Sequence, residues 1–420
     1  MSCSIVLLIV ILTTWISRGE EVTTTTTQVC DDNHEIESIQ WHDGLNPNDI
    51  AQRRVPVIIR SSPATNWAAI KRWGNVEYLK KHLPPILENS YRSKNSSEFS
   101  YLSVDERVLI DMPLQRLLDD ASDETNYYTM YSAPLLRCCK GDMLNDLIGI
   151  KSSPDIFSLD GINSEMTAWF GTDGIVTAIH CDMFQHNFFV QISGRKTFEL
   201  WPPNSHFELY LHSSLLPQAR ESRIRDFREN DEDTFPDYIE PMIVVNLDPG
   251  DVLYIPPHHF HRVTSRRGLV DSSRLSVSLS IWAERSSKRK ILDKVRSLAL
   301  PFETDWSEQR LRDNAAIFLL DVVHETLQDK EHPRIFVRRL VRSRHGVTCD
   351  EDDSKIQWKQ NLLKSSHHAK DIAMTLRELH NEIIEIHLAD YVEEVASFVV
   401  KKNQKGLQLV SHVASYLCTV

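Results

Sequence analysis

Apolar and polar positions change rhythm twice along this chain. From Asn66 to Leu83, NWAAIKRWGNVEYLKKHL, apolar side chains recur at helical spacing: Trp67, Ile70, Trp73, Val76 and Leu79. Gly74 interrupts the run, so the pattern predicts two short helices. Before it, RRVPVIIR (Arg53 to Arg60) is a β-branched run that predicts a strand, with Pro56 placing it at a sheet edge. Tyr101 to Ile110 reads as strand and turn. Met112 to Leu136 reads as a helix, a break, then a strand or short helix around Tyr127 and Tyr128.

From Asp155 the rhythm shortens. EMTAWFG, GIVTAIHCD, NFFVQISG, RKTFELWPP, MIVVNLDPG, DVLYIPP and RLSVSLSIW each have the length of a strand, punctuated by Gly, Pro, Asn or Asp. Short strands without intervening helices predict an antiparallel sandwich or barrel of the jelly-roll kind. Ser193-Gly194 predicts a tight hairpin, and Asp248-Pro249-Gly250-Asp251 a type II turn. Ser205 to Pro241 is polar and charged, with DFRENDEDTFPDY at its centre, and is too long for a simple connection. It reads either as an insertion over one mouth of the barrel or as an acidic loop. After Trp282 the period becomes helical in KILDKVRSLALPF, SEQRLRDNAAIFLLDVVHETLQ and AKDIAMTLRELHNEIIEIHLADYVEEVASFVV, with Ser307 as an N-cap.

Composition leaves this picture intact. The 420 residues are 41% apolar and 25% charged, enough for a sizeable core. A net charge of −12 argues against a surface built to neutralise phosphates, so no nucleic-acid partner is expected. The run RSSKRK, Arg285 to Lys290, reads as a solvated helix face. The uncharged Ser4 to Ile16 is too short for a membrane span and suits a signal peptide ending near Gly19, although the segment before it lacks Lys or Arg. A signal anchor or an artefactual start is the alternative. The organisation expected is a leader at 1–19, a polar linker at 20–52, a folded unit at 53–284 and a helical region at 285–420, with no membrane span in the mature chain. Six cysteines outlast the leader: Cys30, Cys138, Cys139, Cys181, Cys349 and Cys418. Their even number suits the secretory pathway, but their spacing is neither a disulfide framework nor a zinc pattern. Asn95-Ser96-Ser97 is a glycosylation sequon if the chain enters the endoplasmic reticulum.

The chemistry concentrates between Ile175 and Pro203, IVTAIHCDMFQHNFFVQISGRKTFELWPP. His180 and Asp182 are two residues apart, which puts both on one face of a strand. DPGDVLYIPPHHFH ends at His261, a third ligand at a strand end. Two histidines and a carboxylate suit a non-haem Fe(II) site with positions left open. Lys196 would offer a point charge to the far carboxylate of a dicarboxylate co-substrate, and Thr177 a hydroxyl. Alone, Lys196 reads as an exposed strand lysine and Thr177 as an ordinary β-former. Their occurrence beside the triad favours the site.

WFGTDGIVTAIHCD, NFFVQISGRKTFELWPP, PGDVLYIPPHHFH and SVSLSIW together resemble the cupin-like JmjC hydroxylases, which are Fe(II)- and 2-oxoglutarate-dependent dioxygenases. The likeness runs from Arg53 to Phe302. It is greatest to the JmjC protein associated with a small heat-shock protein and to the asparaginyl hydroxylase that inhibits hypoxia-inducible factor. An extra residue between Asp182 and Asn187, the FPDY segment and the helices after Trp282 favour the first. The resemblance implies an all-β core, a double-stranded β-helix or jelly roll of cupin type, with N-terminal α/β elaboration and a C-terminal helical region. It implies Fe(II) on His180, Asp182 and His261, and 2-oxoglutarate held by Thr177, Lys196, Asn187 and Tyr128, with Tyr127 the rival of Tyr128. Ser280 stands where many relatives carry Asn, so a modified pocket is expected. His258 and His259 are expected to lie around the site without ligating. The implied reaction is hydroxylation of a protein side chain coupled to decarboxylation of 2-oxoglutarate. A catalytically weak module that binds a protein partner and a tRNA-base oxygenase remain open; histone demethylation lacks support because no chromatin reader or zinc cluster accompanies the motifs. A small heat-shock protein is the partner implied, and the C-terminal helices are a candidate homodimer surface. The compartment expected is the endoplasmic reticulum lumen or the exterior if the leader is real, otherwise the cytoplasm.

Overall fold

The computed structural model of this chain describes residues 36–42, 45–99, 109–122, 127–148, 154–224, 235–268, 274–284, 286–303, 305–349, 367–400 and 406–420. The leader, the Thr run, Cys30, the strand and turn expected from Tyr101 as far as residue 108, and the acidic centre at 225–234 lie outside them.

The N-terminal part alternates short elements: β1 (Glu37–Gln40), α1 (Pro47–Gln52), β2 (Val57–Arg60), α2 (Ala68–Arg72), α3 (Val76–His82), β3 (Ile86–Ser93), β4 (Glu98–Phe99), β5 (Ile110–Pro113), α4 (Leu114–Ser122), β6 (Tyr128–Pro134), α5 (Leu135–Cys138) and α6 (Asp142–Asn145). Strands then dominate: β7 (Ser164–Thr172), β8 (Val176–Cys181), β9 (Gln185–Ser193), β10 (Arg195–Trp201), β11 (Ile243–Leu247), β12 (Val252–Ile255), β13 (Phe260–Arg266) and β14 (Leu275–Glu284). Helices close the chain: α7 (Ser286–Ser297), α8 (Glu308–Leu327), α9 (Pro333–His345), α10 (His367–Leu376), α11 (Asn381–Val400) and α12 (Leu407–Leu417).

The strands form two sheets. One runs β1-β2-β12-β9-β14-β7-β6-β3-β5 and the other β11-β10-β13-β8-β4. Successive strands β7 to β10 fall alternately into the two sheets, which is the double-stranded β-helix expected. This corrects the hairpin at Ser193-Gly194. β9 and β10 belong to different sheets, and Gly194 is the corner between them. It sits at φ +65°, where a Cβ would lie 2.7 Å from the Leu275 carbonyl oxygen, so only glycine fits the corner without a shift. The turn at Asp248 forms as expected: the Asp251 amide donates to the Asp248 carbonyl at 3.0 Å, and Gly250 takes φ +93°.

Side-chain alternation divides the core. The face of the large sheet carrying Phe188, Val190, Leu279, Ile281 and Phe170 packs with Trp67, Trp73, Leu79 and Leu117 of the N-terminal part. Between the sheets, Phe189, Leu253 and Ile255 meet Phe198, Leu200, Val245 and Val263, filling part of the interior. Ile179, Cys181, Trp201 and Phe260 join one continuous cluster with Phe318, Leu319, Leu340, Leu388 and Val392 of the C-terminal helices. The C-terminal helices therefore share a core with the outer face of the smaller sheet.

Other expectations shift. The linker predicted to 52 gives way to structure at Glu37, because β1 pairs in parallel with β2 and α1 buries Ile50 and Ala51. Arg53–Arg60 is not an edge: Pro56 precedes β2, costs it no ladder bond, and β1 and β12 flank it. Gly74 does separate α2 from α3, and Ser307 does cap α8, its side chain accepting from the Arg310 amide. β13, α9 and α12 were not foreseen. Cys349 and Cys418 form a disulfide with Cα atoms 5.1 Å apart, a pairing the spacing did not disclose.

Candidate metal centre

The site begins with an irregularity in β8. His261 lies opposite His180, and Val263 lies opposite Thr177. Two steps along β13 thus match three along β8, so β8 holds a bulge. On a regular strand Thr177 and His180, three residues apart, would face opposite sides; with the bulge both line one cavity. Strand β8 ends at Cys181, so Asp182 stands in the turn just beyond it, where Met183 takes φ +50°. His261 is the second residue of β13, the strand paired antiparallel with β8 in the same sheet, and does not end the DVLYIPP strand as expected from the sequence.

His180, Asp182 and His261 come together, their ligand-type atoms all within 4.8 Å of one another. His261 Nε2 is 3.9 Å from Asp182 Oδ2. A neighbouring carbonyl fixes each imidazole: Nδ1 of His180 bonds the Ala178 oxygen at 2.8 Å, and Nδ1 of His261 bonds the His259 oxygen at 3.1 Å. A carbonyl only accepts, so each Nδ1 carries the proton and each Nε2 keeps its lone pair for a metal. Asp182 Oδ2 accepts from Asn187 Nδ2 at 3.0 Å and from Trp282 Nε1 at 3.3 Å. Burial pushes this carboxyl up, but the charges of His261 and His180 and the Asn187 bond outweigh it and hold its pKa below the ordinary value. Burial, then repulsion from His180, brings His261 down to about 4. An ionised aspartate and neutral imidazole are the forms that bind a divalent cation. Cys181 is no competitor, since burial pushes its thiol up to about 12.

These residues line a cavity of about 450 Å³. Strand alternation delivers Gln185, Asn187 and Phe189 from β9, Ser280 and Trp282 from β14, and Lys196 and Phe198 from β10. Lys196 is 5% exposed, its Nζ donates to Ser265 Oγ at 3.2 Å, and burial lowers its pKa to about 8. Among the described residues no carboxylate pairs with it. A lysine buried without a counter-charge is costly. Pro217, Gln218, Arg220 and Glu221 of the insertion also line the cavity, so the described part of that insertion does cover one mouth of the barrel.

The family model of the cupin-like domain matches residues 44–289, more than half of the chain. The chain belongs to the cupin-like JmjC family. It is 29% identical over 243 residues to lysine-specific demethylase JMJ30 of Arabidopsis thaliana, covering 55% of this chain and 51% of that one. It is 36% identical over 134 residues to lysine-specific demethylase 8 of Danio rerio, 31% of this chain and 30% of the relative. It is 31% identical over 132 residues to human HSPB1-associated protein 1, 30% of this chain and 25% of the relative. The chain spans about half or less of the length of these relatives.

Within this cupin-like domain the other expected residues separate. Thr177, Asn187, Lys196 and Ser280 all line the cavity. Asn187 also donates to Asp182, a contact the sequence did not suggest. Ser280 Oγ accepts from Trp169 Nε1 at 3.1 Å. Tyr128 does not line the cavity: it starts β6 with its ring against Gly174, and the β6 residues at the wall are Ser132, Ala133 and Pro134. Tyr127 lies under the Arg92 guanidinium, 3.5 Å from its ring centre, and is no substitute. His258 is fully buried at φ +67° between Phe184 and His387 of α11, away from the cavity lining. His259 serves through its backbone carbonyl. Trp282 went unnoticed, yet its two-residue offset from Ser280 on β14 placed it on the same face.

Proposed function

We propose that this chain is an Fe(II)- and 2-oxoglutarate-dependent dioxygenase that hydroxylates a side chain of a protein. The observation that supports this reading is the pairing, in one cavity, of a His-Asp-His group with a buried lysine that has no acidic partner among the described residues. The catalytic unit is 53–284, with the helical region 285–420 packed on it. His180, Asp182 and His261 hold the metal through Nε2, a carboxylate oxygen and Nε2. Lys196 binds the far carboxylate of 2-oxoglutarate, with Ser265 orienting its ammonium and Thr177 adding a hydroxyl; Asn187 and Trp282 fix the aspartate. With both bound, the chemistry supplied is oxidation of a substrate C–H bond to C–OH by O2 as 2-oxoglutarate becomes succinate and carbon dioxide. The protein's own share is to orient these groups and to keep water out with Phe189, Phe198 and Val263.

The relatives named lysine-specific demethylases favour one second reading, the same oxidation at an N-methyl group with release of formaldehyde. The relative named HSPB1-associated protein 1 makes a small heat-shock protein the first partner to test. A tRNA base is a poor fit to a net charge of −12. The disulfide between Cys349 and Cys418 supports an oxidising compartment, so the endoplasmic reticulum lumen or exterior is the location proposed. No helix among the described residues is long and apolar enough to cross a membrane.

The test is iron-dependent succinate release by the full chain, with and without candidate peptides, beside His180→Ala. Turnover in the wild type and none in His180→Ala is expected. Peptide mass then decides the product: gain of an oxygen for hydroxylation, loss of a methyl with formaldehyde for demethylation. Good metal loading with no turnover would favour the partner-binding module instead.

A further inference from the structure

Against the β8–β9 turn and the β12–β13 connection lies a second cavity, of about 370 Å³. Its walls bring together Arg54 just before β2, His259 of the β12–β13 connection, Lys288 in the first turn of α7, and His380 and Glu382 at the start of α11. Arg54 holds φ +59°, and its Nη1 donates to His380 Nδ1 at 3.0 Å. Neither Arg54 nor Lys288 forms an ion pair among the described residues; the neighbouring Arg289 is the one that takes Glu284. Glu382 is the sole carboxylate among the lining residues.

Two further facts give the cavity a sign. Burial, and then the charge of Arg54, push the Lys288 pKa down against the pull of Glu382. Burial, and then Lys288 and Arg54, do the same to His380. Second, α7 of 12 residues and α11 of 20 both begin here. Helix N-termini carry partial positive charge and amides without intrahelical partners. Two cations and two helix starts around one carboxylate make an anion receptor.

We propose that this cavity binds a compact dianion of the phosphate type, gripped by the Arg54 guanidinium and the Lys288 ammonium between the starts of α7 and α11. It is separate from the Lys196 cavity and does not depend on the dioxygenase reading. An occupant would lie against Pro256, Pro257 and His259, the segment whose carbonyl orients His261.

Calorimetric titration of the full-length protein with inorganic phosphate tests this, with ionic strength held constant by sodium chloride. Saturable binding at one site is expected. The double variant Arg54→Ala/Lys288→Ala should weaken it at least tenfold, Lys288→Glu should abolish it, and Lys196→Ala should leave it within about twofold. Both altered side chains reach solvent, so circular dichroism should match the wild type. Heat that never saturates, or a saturable signal lost in Lys196→Ala and kept in the double variant, would overturn the proposal.

Discussion

At the scale of residues, the candidate site is set by which atom each side chain leaves over. His180 and His261 spend Nδ1 on carbonyls and keep Nε2; Asp182 spends Oδ2 on Asn187 and Trp282. Groups that orient metal ligands in this way typically matter 10–100-fold in metal affinity, so Trp282→Phe should weaken Fe(II) or Mn(II) binding by about that factor. An anaerobic metal titration followed by tryptophan-independent calorimetry checks it, and an unchanged affinity would show the indole contact to be idle. Lys196 makes a pH prediction. Burial brings its pKa down to about 8, so the charged form fades as pH rises through that value. The dissociation constant for 2-oxoglutarate should therefore rise roughly tenfold between pH 7 and 9, and lose this dependence in Lys196→Ala. The stability sign is opposite: a lysine depressed from 10.5 costs the fold most below about pH 8, and this cost falls as pH rises towards 10.5.

At the scale of elements, most strands and several helices follow from local pattern, and their positions do not. The runs around β7 to β12 and β14 were legible because period-two alternation and Gly or Pro punctuation are local properties. α9 escaped notice because its Arg-rich face masks the stripe of Phe336, Val337, Leu340 and Val341. The β8 bulge was invisible, since it exists only in register with β13. Nor could the sequence show that Arg344 of α9, with its side chain 1% exposed, reaches Asp390 and Glu393 of α11 at 2.7 and 2.6 Å. Glu393 is itself fully buried. Arg344→Leu would leave that carboxylate without its main partner, an error worth about 3–5 kcal/mol, to be read from the urea unfolding midpoint. A shift below 1 kcal/mol would mean that His345, 2.8 Å from Glu393, suffices to hold the charge.

At the scale of the whole molecule, the barrel and the C-terminal helices share one hydrophobic cluster, and a disulfide ties the end of α9's trailing segment to the chain's end. The bridge closes a loop with a sequence separation of 69 residues. Its loss should cost about 4 kcal/mol, because the unbridged unfolded chain regains the entropy of that loop. Thermal melts with and without reductant check this, with Cys349→Ser as the control that should be insensitive to reductant. The sequence by itself determined the fold class and the candidate His-Asp-His group, because alternating strands and a His-x-Asp pair with a later His can be read from the order of residues. It also pointed to Lys196 as the cation. Tertiary structure alone decided that β9 and β10 separate into two sheets at Gly194, that a bulge brings Thr177 beside His180, that Tyr128 stands away from the cavity, and that Arg54, Lys288 and His380 meet. The physical reason is common to all four. Each is a property of register or of packing between segments distant in sequence, and no local periodicity encodes the distance between them.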